Sequence, residues 1–231
     1  MSLGLKKDMI NLHGYGPSIL DGTMVTITVS VVSLVIAMLL GMVGALAKLY
    51  GFKPLRLVAQ IYTTVIRGIP DLVLMLLVYF GGQVFINQVA PMVGYDEYID
   101  INPFMAGVST IGFIFGAYMT ETFRGAILAV NKGQLEAGNA YGMSGIQVFT
   151  RILMPQMVRH ALPGFGNVWL VMIKTTALVS IIGLDDMVRK AGLAAGATRL
   201  PFTFYAVVAF NYLVITTISI YVLKWLDTRY S

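Results

Sequence analysis

The stretch TMVTITVSVVSLVIAMLLGMVGAL, residues 23–46, decides the fold because it contains no charged residue over its whole length. A helix needs about 20 mainly apolar residues to cross the roughly 30 Å hydrocarbon layer of a membrane. In that layer no water is available, and a helix satisfies the hydrogen bonds of its own backbone. The stretch therefore predicts a transmembrane helix.

Four further stretches have the same character. The chain as a whole is 57% hydrophobic and 12% charged, whereas soluble domains are about 45–50% apolar and about 25% charged. Prolines stand at the starts of three of the stretches, where the first helical turn has spare N–H groups. We therefore expect an all-α integral membrane protein with a single transmembrane domain over residues 1–231 and five helical spans. The four further spans are predicted at 70–89, 103–123, 164–184 and 201–223.

The distribution of basic residues predicts the orientation of the spans. Cytoplasmic connections carry an excess of Lys and Arg. With the N-terminus outside, the inner side holds ten of these residues and the outer side five, although Lys6 and Lys7 favour the opposite arrangement. The count predicts an external N-terminus and an internal C-terminus. The inner ten are Lys48, Lys53, Arg56, Arg67, Arg124, Lys132, Arg151, Arg159, Lys224 and Arg229.

The longest internal connection, residues 124–163, is too long for a simple turn and is expected to contain helices. Lys132 and Gly133 are expected to break the chain before a first short helix at 134–141. Gly142 can adopt the positive φ that closes a helix. The connection is therefore predicted to turn a corner at this glycine.

A second short helix is predicted after the corner. Ser144 and Gln147 have the spacing of a capping box. Because the residue before a proline is disfavoured in the α region, this helix is expected to end before Pro155.

The sequence EAGNAYG at 136–142, followed after nine residues by ILMP at 152–155, resembles the EAA loop of ABC-importer permeases. That pattern is Glu-Ala-Ala, three residues, Gly, nine residues, Ile, one residue and Leu-Pro. Gly138 replaces the second alanine and Met154 the leucine. The resemblance implies that the first loop helix is a coupling helix that docks into a groove on a cytoplasmic ATPase. Its expected coupling residues are Glu136, Ala137, Gly142, Ile152 and Pro155.

Other blocks extend the resemblance to the permeases of polar amino acids. They are RGIPDLVLMLL at 67–77, GAY at 116–118 with ETFRG at 121–125, and KTTALVS at 174–180. The first block is closer still to one of the two permease subunits of the histidine/lysine/arginine/ornithine family.

The resemblance implies a type I ABC-importer permease in the bacterial inner membrane, importing polar amino acids, with basic ones favoured. The implied partners are a second similar permease, two copies of an ATPase that binds ATP and Mg²⁺, and an external solute-binding protein. No cofactor and no catalytic activity are then expected in this chain. The alternatives are a permease of the same family for another polar amino acid such as glutamine, or an ion-coupled carrier.

Charged residues inside membrane helices normally face a cavity or a partner. Arg67 and Asp71 are four residues apart, which would place them on one helical face as an ion pair. The other interpretation is that Asp71 lines the substrate pathway. Glu121 could likewise either pair with Arg124 or line the pathway, and Tyr118 shares its face. The candidate pathway residues are therefore Arg67, Asp71, Tyr118 and Glu121.

The remaining polar residues favour structural roles. Lys174 is expected to have a buried structural partner. Asp185 and Asp186 are expected to begin a solvated loop, because adjacent carboxylates do not converge on one point of a helix or strand. Five aromatic residues fit interfacial belts, namely Trp169, Trp225, Tyr205, Tyr221 and Tyr230.

Several classes of function are disfavoured. The chain has no cysteine and two histidines, His13 and His160, both expected to be exposed or satisfied. These leave little material for a metal centre or a nucleophile and base. No phosphate-binding glycine loop is present, so ATP is expected to be bound elsewhere. The basic residues are scattered between apolar runs, which is not typical of a nucleic-acid-binding surface.

Overall fold

The computed structural model describes residues 12–230, with the side chain of Tyr230 excepted. Lys6 and Lys7, which entered the count of basic residues, lie outside the described residues. Nine α-helices follow one another in the described part of the chain, and no strand occurs there. They are α1 (Gly16–Tyr50), α2 (Lys53–Gly68), α3 (Asp71–Val89), α4 (Pro103–Ala129), α5 (Lys132–Ala140), α6 (Gly145–Val148), α7 (Met154–Thr175), α8 (Met187–Thr198) and α9 (Pro201–Tyr230).

Five helical segments are long and apolar enough to cross a membrane, as predicted. Two of them begin at the prolines that the sequence marked, Pro103 and Pro201, and Pro70 immediately precedes a third. A proline in the first turn loses nothing, because its missing N–H would have no partner there. The five segments are Gly16–Tyr50, Asp71–Val93, Pro103–Ala129, Gly145–Ser180 and Pro201–Arg229.

The bounds of the fourth span differ from the prediction of 164–184. The helical segment begins at Gly145, and α7 ends at Thr175. A 3₁₀ turn over Thr176–Ser180 completes it. The apolar run Ile181–Leu184 (IIGL) resembles helix by composition, but Gly183 has φ 94°. An L-residue rarely adopts that conformation, and glycine turns the chain there.

Helix α2 was not predicted as a separate element. Its 16 residues have three faces, of which one is buried at Ala59, Thr63 and Ile66. A second, exposed face is apolar and includes Val58 and Ile61. The third face is polar, so α2 is too amphipathic to resemble a span and too apolar for an ordinary loop.

The described chain folds into two compact units, each assembled from three separate stretches of sequence. The first comprises 12–34, 70–112 and 172–217 among the described residues, and the second 35–69, 113–171 and 218–230. The core of the first unit contains Ile19, Met187, Phe204 and Val208. The expected single domain over residues 1–231 stays a prediction.

In the second unit, helices α1 and α4 approach closely at a glycine. A Cβ added to Gly44 would lie 2.3 Å from the Oγ1 atom of Thr120. Any larger residue would therefore push the two helices apart, because buried backbones can approach this closely only where a side chain is missing. This contact fixes the level at which the polar residues of α4 meet those of α1.

Asp186 corrects the expectation of a solvated loop start. Asp185 is exposed, but Asp186 is fully buried. Asp186 caps α8, and its Oδ1 atom accepts a hydrogen bond from the backbone N–H of Arg189 at 2.9 Å. Burial raises the pKa of the Asp186 carboxyl to about 6. Because Asp186 caps α8, it is buried where the start of that helix is buried. The residues next to Asp186 in the sequence do not indicate this burial.

Lys174 corrects a second expectation. It lies in the last turn of α7 and is exposed at the surface of this chain rather than buried with a partner. His13 and His160 are exposed, as expected. Among the aromatic residues predicted at the interfaces, Trp225, with 58% of its surface accessible, and Tyr221, with 69%, are exposed near the end of α9.

Candidate functional site

A polar pocket of about 380 Å³ lies in the second unit between α2 and α4. Three of the four candidate pathway residues, Arg67, Tyr118 and Glu121, line it together. Positions 60, 64 and 67 share the polar face of α2, and positions 118 and 121 share a face of α4, as helical spacing requires. The complete lining is Gln60, Thr63, Thr64, Arg67, Gly68, Tyr118 and Glu121.

Glu121 is held between two cations. One of its oxygens accepts a hydrogen bond from Nζ of Lys48, and the other accepts one from Nε of Arg124 at 2.9 Å. The Lys48 side chain is 6% exposed and that of Glu121 is 19% exposed. Lys48 Nζ also donates to Thr63 Oγ1 at 2.7 Å. The predicted pair between Glu121 and Arg124 is present, and Lys48 is a second partner that the sequence did not indicate.

Arg67 stands at the mouth of the same pocket. It lies in the last turn of α2, where a cation interacts favourably with the helix dipole. Its guanidinium carbon is 5.5 Å from the centre of the Tyr118 ring, within the range of a cation–π contact. Arg67 is exposed and takes no part in the three ion pairs found within residues 12–230. Its N–H groups are therefore available to a ligand.

The prediction that Asp71 shares one helical face with Arg67 is wrong. Helix α2 ends at Gly68, and α3 begins at Asp71. Ile69 and Pro70 between them have ψ angles of 140° and 135°, so the backbone is extended there. The residue before a proline is forced out of the α conformation. Asp71 is half-buried in the first unit and stands at a helix N-terminus, where a carboxylate is favoured.

The charges around the pocket do not produce a negative field. Glu121 supplies one negative charge, and Lys48, Arg124 and Arg67 supply three positive charges. Because Glu121 is already matched twice, it has little capacity left for a cationic ligand. The Arg67 guanidinium and the Thr64 hydroxyl are instead suited to a carboxylate. The Thr63 hydroxyl is already used, because it donates to the Gln60 carbonyl at 3.2 Å and accepts from Lys48.

The loop over residues 124–163 contains the two predicted helices, with a different start for the first. Helix α5 begins at Lys132, and Gly133 lies within it rather than before it. The reason is Asn131, whose side chain accepts the N–H of Gly133 at 2.9 Å and caps the helix. Gly142 has φ 78°, as predicted. The predicted capping box at Ser144 is also present, with both reciprocal hydrogen bonds.

The second loop helix does not end before Pro155. A π-helical segment, Phe149–Leu153, joins α6 to α7 without a break, and Pro155 is the second residue of α7. In a π-helical turn each N–H donates to the carbonyl five residues back, one residue further than in an α-helix. The turn therefore shifts the register between N–H and carbonyl groups. This shift lets the helix continue through a residue that has no N–H.

The predicted coupling residues fall into two groups. Glu136 and Ala137 lie on the exposed surface of α5, and Pro155 is exposed. Ile152 has the opposite role, because a Cβ added to Gly138 would lie 2.6 Å from its Cδ1 atom. The glycine that departs from the EAA pattern thus makes room for Ile152 and locks the two loop helices together.

Two exposed residues of the loop were missed. Tyr141 is 89% exposed and Ile146 is 77% exposed, on either side of the Gly142 corner. Exposed apolar patches with a polar rim mark contacts with another protein. A signal for them was present in the sequence, because each is a large apolar residue next to a glycine.

Residues 12–230 contain no group of three or more His, Cys, Asp or Glu side chains that could hold a metal ion. The geometry defines a multi-pass membrane protein with a polar pocket between two helices and an exposed loop of two short helices. Residues 37–231 match the model of the family described as binding-protein-dependent transport system inner membrane component, and the chain belongs to that family.

Named relatives agree with this assignment. The chain is 50% identical over 220 residues to the histidine/lysine/arginine/ornithine transport system permease protein HisQ of Salmonella typhimurium, covering 95% of this chain and 96% of that one. It is 42% identical over 227 residues to the octopine transport system permease protein OccQ of Rhizobium radiobacter, covering 96% of both. A solved structure titled "Crystal structure of an amino acid ABC transporter with histidines" superposes with a TM-score of 0.80 at 33% identity, over 96% of this chain and 98% of that one.

Proposed function

We propose that this chain is a permease subunit of an ATP-driven importer of basic amino acids such as histidine, lysine, arginine and ornithine. It forms part of the translocation path and transmits the action of a separate ATPase to that path. The observation that carries the proposal is the coupling loop. Two capped helices are locked together by Gly138 and Ile152, and they present Tyr141 and Ile146 to a partner.

The partners follow from the family. A second similar permease completes the path, two copies of the ATPase bind ATP and Mg²⁺, and an external solute-binding protein delivers the amino acid. The chain lies in the bacterial inner membrane with its N-terminus outside and its C-terminus inside. In this orientation α5 and α6 face the side on which ATP is available.

The mechanism is a coupling of equilibria. The path alternates between outward and inward openings, and a ligand shifts such an equilibrium only by its differential affinity for the two states. ATP closes the ATPase pair, and the loop helices move with it as a rigid unit because Ile152 fixes one helix to the other. Loaded binding protein favours the opposite opening on the outer side.

Within the path, the polar pocket binds the end that all amino acids share. The substrate carboxylate meets the Arg67 guanidinium and the Thr64 hydroxyl. Glu121 lines the pocket and fixes Lys48 and Arg124 beside it. Asp71, which has no second charge on its own helix turn, is the acid that compensates the cationic side chain of the substrate as it leaves water.

One observation favours a second candidate, a permease of the same family for an uncharged polar amino acid such as glutamine. The described pocket carries more positive than negative charge, because Glu121 is matched by two cations. In that case Asp71 would not select substrates by their charge.

Uptake by the reconstituted complex tests the proposal. Arginine and glutamine are each delivered by a binding protein that accepts them. Uptake is measured for the complete complex with ATP omitted or present, and separately with the ATPase omitted. The proposal predicts arginine uptake that requires both ATP and the ATPase. Uptake by the permeases alone would instead identify an ion-coupled carrier, and uptake of glutamine without arginine would establish the second candidate.

A further inference from the structure

A second concave site lies in the second unit, between α7 and the last turns of α9. Its volume is about 340 Å³, which falls within the about 300–1,000 Å³ typical of small-molecule sites. It shares no residue with the polar pocket described above. The translocation mechanism gives it no role.

The groove changes from apolar to polar along its length. At its middle, Gly166 of α7 faces Leu223 of α9, and a Cβ added to the glycine would lie 3.3 Å from the leucine Cδ1 atom. Because the two helices run in opposite directions, Leu170 and Ile220 lie together towards one end. Lys224 and Asp227, one helical turn apart, also line the groove, towards its other end.

The two charged groups are not paired with each other. Lys224 and Asp227 are three residues apart, a spacing at which opposite charges on a helix can meet. Neither belongs to the ion pairs that the structure shows between residues 12 and 230. Both are exposed, and the Asn167 side chain beside them is exposed as well. The polar end of the groove thus offers one cation, one anion and one amide to a ligand.

The position of this polar end matches the membrane interface. Trp225 is 58% exposed, and the Arg229 guanidinium carbon is 5.6 Å from the centre of its ring. Tryptophan and tyrosine side chains concentrate at the level of the lipid headgroups. The apolar end of the groove then points towards the hydrocarbon layer.

We propose that this groove binds one phospholipid whose headgroup carries both a phosphate and a primary ammonium, which is phosphatidylethanolamine. An acyl chain lies along Leu170 and Ile220. Lys224 binds the phosphate, and Asp227 accepts hydrogen bonds from the ammonium. An anionic headgroup such as phosphatidylglycerol offers Asp227 only neutral hydroxyl donors and no ammonium charge, so its hydrogen bonds to the carboxylate are weaker. The methylated ammonium of phosphatidylcholine cannot donate a hydrogen bond to it.

Native mass spectrometry of the intact permease–ATPase complex, reloaded with each of the three lipids in turn, tests the proposal. Phosphatidylethanolamine is expected to be retained most strongly. Lys224→Gln should lower its retention about tenfold, the effect of losing one hydrogen bond to a charged group. Asp227→Asn should abolish the preference over phosphatidylglycerol. Arg229→Gln, on the same helix but outside the groove lining, should change neither.

Two results would overturn the proposal. Equal retention of the three lipids by the unmodified complex would show that the charged pair selects nothing. The other is a protein occupant, which a single cysteine can detect because the chain has no native cysteine. If Ile220→Cys, labelled with a thiol-specific photo-crosslinker, becomes linked to the partner permease on illumination of the intact complex, a protein helix covers the groove and no lipid occupies it.

Discussion

Lys48 and Glu121 form a largely buried ion pair across 73 residues of sequence, linking the C-terminal end of α1 to α4. Arg124 binds the other oxygen of the same carboxylate. A buried pair of this kind contributes little net stability relative to apolar residues, but removal of one partner leaves an uncompensated charge. The pair therefore fixes the wall of the polar pocket, and its integrity can be tested.

The first prediction concerns this pair. Lys48→Met should destabilise the chain by about 2 kcal/mol, because Glu121 loses the hydrogen bond from its most buried partner while Arg124 still offsets its charge. The double variant Lys48→Met with Glu121→Gln should recover part of that loss. Thermal unfolding of the purified complex measures both. If the two single substitutions and the double variant were additive, Lys48 and Glu121 would not be coupled.

The second prediction concerns substrate charge. Asp71→Asn should weaken arginine uptake far more than uptake of an uncharged amino acid, because Asp71 is proposed to compensate the cationic side chain of the substrate. Glu121→Gln should weaken both equally, since it releases Lys48 and Arg124 without removing a free acid. Each substrate is delivered by a binding protein that accepts it. Equal loss for both substrates in Asp71→Asn would reject charge matching at this residue.

The third prediction concerns the corner of the coupling loop. Gly142 has φ 78°, so a bulky residue there should introduce strain of roughly 1–3 kcal/mol. Gly142→Val should remain inserted in the membrane but lose substrate-stimulated ATP hydrolysis and uptake together. Gly145→Ala is the matched control, because Gly145 begins α6 without a positive φ and a Cβ there meets nothing within 4 Å. Normal stimulation in Gly142→Val would remove the corner from the coupling mechanism.

The fourth prediction concerns pH. The pKa of Asp186 is about 6 in the folded chain, above its ordinary value of 3.8. Between these values the folded state binds more protons than the unfolded state, so stability falls as pH rises. The contribution is most favourable below about pH 4 and is lost above about pH 6, and its size is about 3 kcal/mol.

Asp186→Asn separates this effect from capping, because asparagine caps a helix equally well. The melting temperature of the wild-type chain should fall between pH 4 and pH 6 more steeply than that of the variant. Parallel melting curves for the two proteins would show that Asp186 does not titrate in this range.

The membrane spans and the loop could be predicted from sequence because their signals are local. The apolar run at 23–46, the capping box at Ser144 and the positive φ at Gly142 each depend on residues close together in the chain. The pairing of Lys48 with Glu121 depends on how α1 and α4 pack, which no local pattern contains. Asp186 looked like solvated loop for the same reason, because tertiary packing and not its neighbours buries it.

The exposed loop residues are proposed to connect this chain to a separate ATPase, and a substitution at Tyr141 tests that connection. Tyr141→Ala should lower ATP hydrolysis stimulated by loaded binding protein and amino-acid uptake in the same proportion. Tyr221→Ala is the control, because Tyr221 is 69% exposed on α9 outside the loop. Both activities are measured on the same reconstituted vesicles. Unchanged stimulated hydrolysis and uptake in the Tyr141→Ala complex would contradict a docking role for the loop.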